Sequence, residues 1–255
     1  MEAEVKRRKR RVVLVALAAC LVVAGIGGTL AWFSAQSHLT NTFTVGNIKP
    51  PTTDPTDPSQ PLPSDPDPRL DGNLFEPSWV ENSKIGPGAN VPKDPRVGIA
   101  GKKTSGDTAS DPAYVYVYVK NNLPDGAYFT IGNEWKPVDG KTEQYAGVSG
   151  ETNNYKSGLF AYCGTNNAYN AGQGLVQLIT ADETDGTAKD AWTTPLFTHV
   201  KTAKDYKTDG FAADTKDSIK VSAYLAAVSN EKDEIKDLDA AAKAWAQEID
   251  PAPAA

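Results

Sequence analysis

An uninterrupted alternation of small or aliphatic residues with tyrosines places the strongest constraint on the fold. Residues 113–120 read Ala-Tyr-Val-Tyr-Val-Tyr-Val-Lys. Successive side chains of a β-strand point to opposite faces, so this pattern predicts a central strand with an aliphatic face in a core. The opposite face carries Tyr114, Tyr116 and Tyr118, and we expect another strand or a loop to half cover it. Alternatively these tyrosines are a candidate contact surface, since tyrosines offer rigid contact area at low entropic cost.

Further strand-like segments alternate with turns rich in Gly, Asn and Thr, and one amphipathic helix follows them. The helix is predicted over 233–249, where Leu238, Ala242 and Trp245 recur at three- and four-residue intervals with Ile235 and Ile249. Trp245 is expected to dock on the domain. The fold class predicted for residues 73–250 is mainly β, a jelly-roll-like antiparallel β-sandwich with one C-terminal helix, followed by a tail over 251–255. The predicted strands are 128–131, 134–137, 158–163, 174–180, 195–200 and 218–228.

A second alternating segment lies ahead of the domain, separated from it by a proline-rich stretch. Residues 39–48 place Leu39, Asn41, Phe43 and Val45 on one side and threonines on the other, and the segment ends at Ile48, which predicts a strand. Residues 49–72 repeat Thr-Asp-Pro and Ser-Asp-Pro. Because proline fixes φ and removes a donor, we interpret them as a disordered, extended linker. The strand is then either tethered at a distance and pairs elsewhere, or folded back over the linker.

The first residues have the pattern of an export signal. A basic cluster at 6–11 precedes an apolar run at 12–26, which predicts a signal peptide over 1–31. Small residues before the site favour cleavage between Ala31 and Trp32, leaving 32–48 as the mature N-terminal segment. One alternative is a retained anchor, since the run is near the lower length limit for spanning a bilayer. Another is lipidation at Cys20. Contact with a membrane is expected through this segment alone, before cleavage.

The same region carries a resemblance to a known family. Residues 27–34, Gly-Gly-Thr-Leu-Ala-Trp-Phe-Ser, and residues 41–48, Asn-Thr-Phe-Thr-Val-Gly-Asn-Ile, resemble the signal and mature N terminus of the TasA/camelysin family. The resemblance implies export from a Gram-positive bacterium through a SipW-type signal peptidase. It also implies a location in the extracellular matrix or at the cell surface, and a role in biofilm-matrix fibres. The long linker departs from the family pattern, in which the first strand runs almost directly into the domain.

Composition and residue spacing favour a non-enzymatic protein. Without residues 1–31, 20 Lys and Arg face 30 Asp and Glu, a net charge of about −10, which disfavours nucleic acid as a partner. Cys163 is then the sole thiol and is expected to be a small buried apolar residue. His38 and His199 form no metal-ligand spacing, and a Cys163–His199 pair would lack an orienting neighbour. We therefore predict no catalytic, metal or cofactor-binding residues.

Three functional hypotheses follow. The first is a structural protein that forms fibres when the strand containing Leu39, Asn41, Phe43, Val45 and Ile48 adds to a sheet edge of the next subunit. The second is a monomeric, surface-held adhesin or binding module. The third is a secreted hydrolase, in line with the protease label of camelysin relatives, although the residues that would carry the chemistry are not found.

Overall fold

The computed structural model of the 255-residue chain describes residues 43–45, 47–64, 67–80, 83, 85–102, 108–165, 169–170, 173–180, 189–207, 219–227 and 234–251. The predicted signal peptide with Cys20, the cleavage residues Ala31 and Trp32, and Leu39 and Asn41 of the predicted strand lie outside these residues. So does the tail beyond Pro251.

In the described part of the chain, twelve strands precede one helix, which confirms a mainly β fold with a C-terminal helix. The strands are β1 (Phe43–Val45), β2 (Leu70–Asp71), β3 (Leu74–Phe75), β4 (Asn90–Pro92), β5 (Arg96–Ile99), β6 (Ala113–Asn121), β7 (Ala127–Thr130), β8 (Trp135–Gln144), β9 (Asn154–Tyr162), β10 (Ala191–Trp192), β11 (His199–Thr202) and β12 (Ile219–Ala227). The helix is α1 (Glu234–Ile249).

The strands form two sheets. The larger holds eight strands in the order β1-β12-β6-β9-β7-β11-β4, with β8 paired to β9. The smaller has the order β10-β5-β3-β2. Every pairing between these strands is antiparallel except that of β1 with β12. The larger sheet curls like half a barrel, and its inner face meets the smaller sheet across the first core.

This first core confirms the predicted aliphatic face of β6. Val115, Val117 and Val119 are at most 1 % exposed and pack in one cluster with Leu74 and Ile99 of the smaller sheet. Burial of such side chains stabilises the fold by about 1.5–3 kcal/mol each. As the alternation in residues 218–228 predicts, the same cluster also includes Ile219, Val221, Ala223 and Leu225 of β12.

The tyrosine face of β6 lies under the helix rather than under the strand or loop that we expected, and its burial argues against the alternative, a contact surface of Tyr114, Tyr116 and Tyr118. Tyr114 and Tyr116 are buried, and Tyr118 is partly buried against the same cluster. The physical reason is the apolar stripe of α1, which covers these rings and shields them from partners. The helical residues in this second core are Leu238, Ala242, Trp245 and Ala246.

The helix itself is confirmed within one residue of its predicted start. The ring of Trp245 lies 5.6 Å from that of Tyr224 in β12. The Asp239 carboxylate, which is also buried, accepts hydrogen bonds from the hydroxyls of Tyr116 at 3.3 Å and Tyr169 at 2.8 Å. Ile249, placed on the docking stripe by its spacing, is 38 % exposed instead. The helix therefore docks through its middle turns.

Some predicted strands differ from the observed ones. Residues 174–180 form no strand, and Leu178 makes an isolated bridge to Ala113. Conversely, β8 runs well past residue 137, and β9 begins at Asn154, ahead of its predicted start at residue 158. The register of this pair shifts between Pro137 and Thr142, a β-bulge that breaks the alternation used to predict strands. Gly158 sits opposite Thr142 with φ of 149°, where a side chain would collide with the Thr142 backbone.

Candidate assembly site at the N-terminal edge of the sheet

Strand β12 is a nine-residue strand that lies second from the edge of the larger sheet, next to β1. It pairs with β6 in nine antiparallel register positions, from Ile219 opposite Asn121 to Ala227 opposite Ala113. Both of its faces are covered, because alternate side chains enter the first core and the second core. A further strand can therefore add at the edge of β12 that faces away from β6.

The N-terminal strand β1 occupies part of that edge. The pairing is parallel, with Phe43 opposite Tyr224, Thr44 opposite Leu225 and Val45 opposite Ala226. Parallel ladders are slightly less stable per residue than antiparallel ones. Within the described residues, no strand pairs with the outer edge of residues 219–223. β1 therefore covers only residues 224–226 of the outer edge of β12.

Directly after β1, the chain is fastened to the body of the protein. The Asn47 carbonyl accepts a hydrogen bond from the Asp111 amide at 2.9 Å. The Lys49 amide donates to Ser110 Oγ at 2.9 Å, and the Lys49 carbonyl accepts from the Ala100 amide at 3.0 Å. Polar backbone groups of this segment are therefore satisfied by the loop at 108–111 and by the end of β5, and the segment has left the sheet.

The predicted assembly residues fall into three groups. Phe43 and Val45 belong to β1. Ile48 lies beyond the strand and packs, partly buried, against the first core, so the prediction that the strand reaches Ile48 is wrong. The cause is the anchoring of Asn47 and its neighbours to the loop. Leu39, like Asn41, lies outside the described residues.

The segment predicted to be a disordered, extended linker is also folded where it is described. The Leu62 amide donates to the Thr52 carbonyl at 2.9 Å, and Thr53 forms an antiparallel bridge with Pro61. Residues 52–62 therefore double back as a hairpin-like excursion. In the described residues β1 pairs with β12 of the domain, so its partner is not the linker and the strand is not held at a distance from the domain.

The Asp-Pro repeats explain why these residues turn. The Asp54 carboxylate accepts a hydrogen bond from the Thr56 amide at 2.7 Å, and Asp57 accepts one from the Ser59 amide at 3.1 Å. Asp67 does the same with the amide two residues on, at 2.8 Å. Each is an Asx-type turn, in which the side chain replaces a backbone acceptor. The recurrence of Asp-Pro followed by a donor was the sequence signal for these turns, and counting prolines alone missed it.

Cys163 is buried in the second core, which raises the pKa of its thiol to about 11 by desolvation, partly offset by Lys136. Its Sγ donates to the Ala161 carbonyl at 3.7 Å, whereas His199 Nδ1 lies 3.0 Å from Thr198 Oγ1. A thiol that is protonated at neutral pH is a poor nucleophile.

The described residues include neither a metal-binding cluster nor a membrane-spanning helix. Over those residues, no cluster of three or more His, Cys, Asp or Glu side chains is arranged to hold a metal ion. The described helix lacks the length and apolar character needed to cross a bilayer. Comparison with protein-family models, curated proteins and solved structures returned no match.

Proposed function

We propose that this chain is an exported, non-enzymatic structural protein of the extracellular matrix or cell surface of a Gram-positive bacterium. It is a jelly-roll-type β-sandwich that assembles into fibres by donating its N-terminal strand to a neighbouring subunit. The signal-like N terminus and its resemblance to the TasA/camelysin family support export through a SipW-type peptidase. The main support for assembly is that the edge of β12 pairs with an N-terminal strand of this same sequence.

The register of β1 can be compared with the longer strand predicted from the sequence. If that strand kept the register of Phe43 opposite Tyr224, Asn41 would pair with Ser222 and Leu39 with Lys220. A strand that begins at Leu39, as the alternation predicts, would therefore cover most of the β12 edge. The predicted strand and the available edge have matching lengths.

Exchange between subunits requires no new type of contact. A strand from a neighbour that enters in the same parallel register makes the ladder hydrogen bonds that β1 makes within its own chain. Each subunit then donates one strand and accepts one strand at its β12 edge. Such a head-to-tail interface does not close on itself and extends into a fibre.

Deletion of residues 32–46 from the mature protein tests this function. The deletion keeps the anchored residues from Asn47 onwards, so the domain is expected to remain folded but to form no filaments in electron micrographs. A Thr44→Pro variant should behave alike, because proline removes a ladder donor, and Thr44→Val is the matched control that keeps the backbone amide. Filaments that persist unchanged in the deletion variant would refute strand donation.

A monomeric binding module is the second candidate, and a surface cleft favours it. The cleft has a volume of about 730 Å³ and is lined by Tyr128 and Tyr145, whose rings stack at 4.4 Å. Lys201 and Asn90 supply polar groups beside the rings. Sedimentation of the mature protein at rising concentration separates the two candidates, since strand donation alone predicts large species.

A further inference from the structure

The carboxylate of Asp190 joins the N-terminal segment to the smaller sheet. Its Oδ2 accepts hydrogen bonds from the amides of Thr52 at 2.7 Å and Thr53 at 2.9 Å. The hydroxyls of the same two threonines also donate to Oδ2, at 3.3 and 2.7 Å. Its Oδ1 accepts from the Gly101 amide at 2.8 Å. Both oxygens of one acid are therefore used, each toward a different segment of the chain.

Asp190 lies next to the start of a strand of the smaller sheet. Asp190 directly precedes β10, whose Ala191 pairs with Ile99 of β5. The threonines follow closely after Lys49, which the end of β5 also holds. Pro51, between these two contacts, is buried. The N-terminal segment is thus fixed at two neighbouring points on the smaller sheet.

We propose that Asp190 is a positioning residue for strand donation: together with the hydrogen bonds of Asn47 and Lys49, it fixes the segment from which the N-terminal strand leaves the body. The inference rests on the proposed function. With Asn47, Lys49 and the two threonines all held, a donated strand would leave the body ahead of Asn47, and residues 32–46 would span at most about 50 Å if extended. If none of these contacts were made, residues 32–71 would span about 130 Å if extended. A short arm with a fixed exit sets the orientation of the next subunit and raises its effective concentration.

The Asp190→Asn variant of the mature protein tests this role. Asparagine has one acceptor oxygen, so it cannot serve both the threonines and Gly101. Amide hydrogen exchange in peptides covering 50–62 should become at least about tenfold faster, since charge-assisted hydrogen bonds are lost. Filaments should still form, with a persistence length reduced by about half or more, because the exit of each arm is less defined. The matched control is Asp125→Asn, which removes a charge from a side chain that is 96 % exposed, and it should change neither quantity.

The two readouts separate a positioning role from a structural one. Amide exchange at the wild-type rate in Asp190→Asn would show that Asp190 does not hold the segment. Faster exchange with wild-type filament stiffness would show that holding the segment does not affect assembly. Lack of filaments from the unmodified mature protein is a different result: it would refute the proposed function, and the positioning role with it, whatever the exchange rates show. A thermal unfolding curve for each variant confirms that the domain is folded.

Discussion

The two neighbours of β12 differ in a way that separates folding from assembly. On one side, β6 pairs with it in nine antiparallel positions, and the paired strands supply side chains to both cores. On the other side, β1 pairs in three parallel positions. The first contact is part of the fold, whereas the second is small enough to be replaced. A sheet with two buried cores can exchange a strand at one edge while the domain stays folded.

A second contrast lies between the two terminal segments that cover β12. Helix α1 covers its tyrosine-bearing face with buried apolar side chains, while β1 covers part of its edge with backbone hydrogen bonds. Apolar burial of this kind contributes several kcal/mol, and backbone hydrogen bonds at an edge contribute about 1 kcal/mol each before the entropy of ordering is subtracted. We therefore expect the helix to be a permanent cover and the strand to be an exchangeable one.

The largest effect is expected from Trp245→Ala. Loss of this buried ring should lower the free energy of unfolding by about 3–5 kcal/mol, as truncation of buried aromatic residues does. Because Cys163 lies in the same core, its thiol should also react faster with a thiol reagent in the native protein. Denaturant unfolding and labelling rates measure the two effects. Wild-type values for both would contradict the view that the helix is a permanent cover.

A smaller effect, which depends on pH, is expected from Asp250→Asn at the end of the helix. Burial raises the pKa of Asp250, but hydrogen bonds from Lys120 and Tyr118 outweigh this and hold the pKa below its ordinary value. The charged carboxylate therefore stabilises the fold above the unfolded pKa of about 3.9. This contribution is lost as the pH falls through the lower pKa of the folded state. The variant should be less stable by about 1 kcal/mol or less near neutral pH.

Unfolding midpoints from pH 6 to pH 2 check this prediction, since the difference between wild type and Asp250→Asn should shrink below about pH 4. A difference that stays constant down to the lowest pH would show that the Asp250 contacts do not contribute through their charge.

A similarly small effect on stability, without the dependence on pH, is expected from removal of β1. Deletion of residues 32–46 should change the free energy of unfolding by about 1 kcal/mol or less, because few ladder hydrogen bonds are offset by the ordering of the strand. Cys163 labelling should remain slow. A loss as large as that of Trp245→Ala would mean that β1 belongs to the fold, and it would remove the contrast between the two covers.

Local pattern predicted the interior of this protein well. Period-two alternation at 113–120 and 218–228 identified β6 and β12, which pair over nine positions, and the helical stripe identified α1 with Trp245. These elements obey the periodicity of their own side chains, because each buries a complete face. The tyrosine face of β6 was predicted to be half covered by a strand or a loop, but the helix covers it, since alternation does not say which element packs on a face.

The remaining elements depend on partners distant in sequence. β8 is interrupted by a bulge at Pro137, and β2, β3 and β10 are two residues long, too short for any period to show. The fold of the linker depends on Asx turns and on Asp190, which is far from Thr52 in the chain. Parallel pairing of β1 with β12 joins the two ends of the sequence, and no local pattern encodes it.

A disulfide between β1 and β12 tests the central claim most directly. Val45 and Ala226 are register partners, and neighbouring strands lie about 4.8 Å apart, within the range that a disulfide spans. The protein carries Val45→Cys and Ala226→Cys in a Cys163→Ala background and is oxidised after assembly, with each single cysteine variant as a control.

Strand donation predicts that filaments of this double variant yield a ladder of covalent multimers on a non-reducing gel, which collapses to one band on reduction. Filaments that yield only internally bridged monomers would show that β1 stays with its own chain during assembly, and would contradict the account.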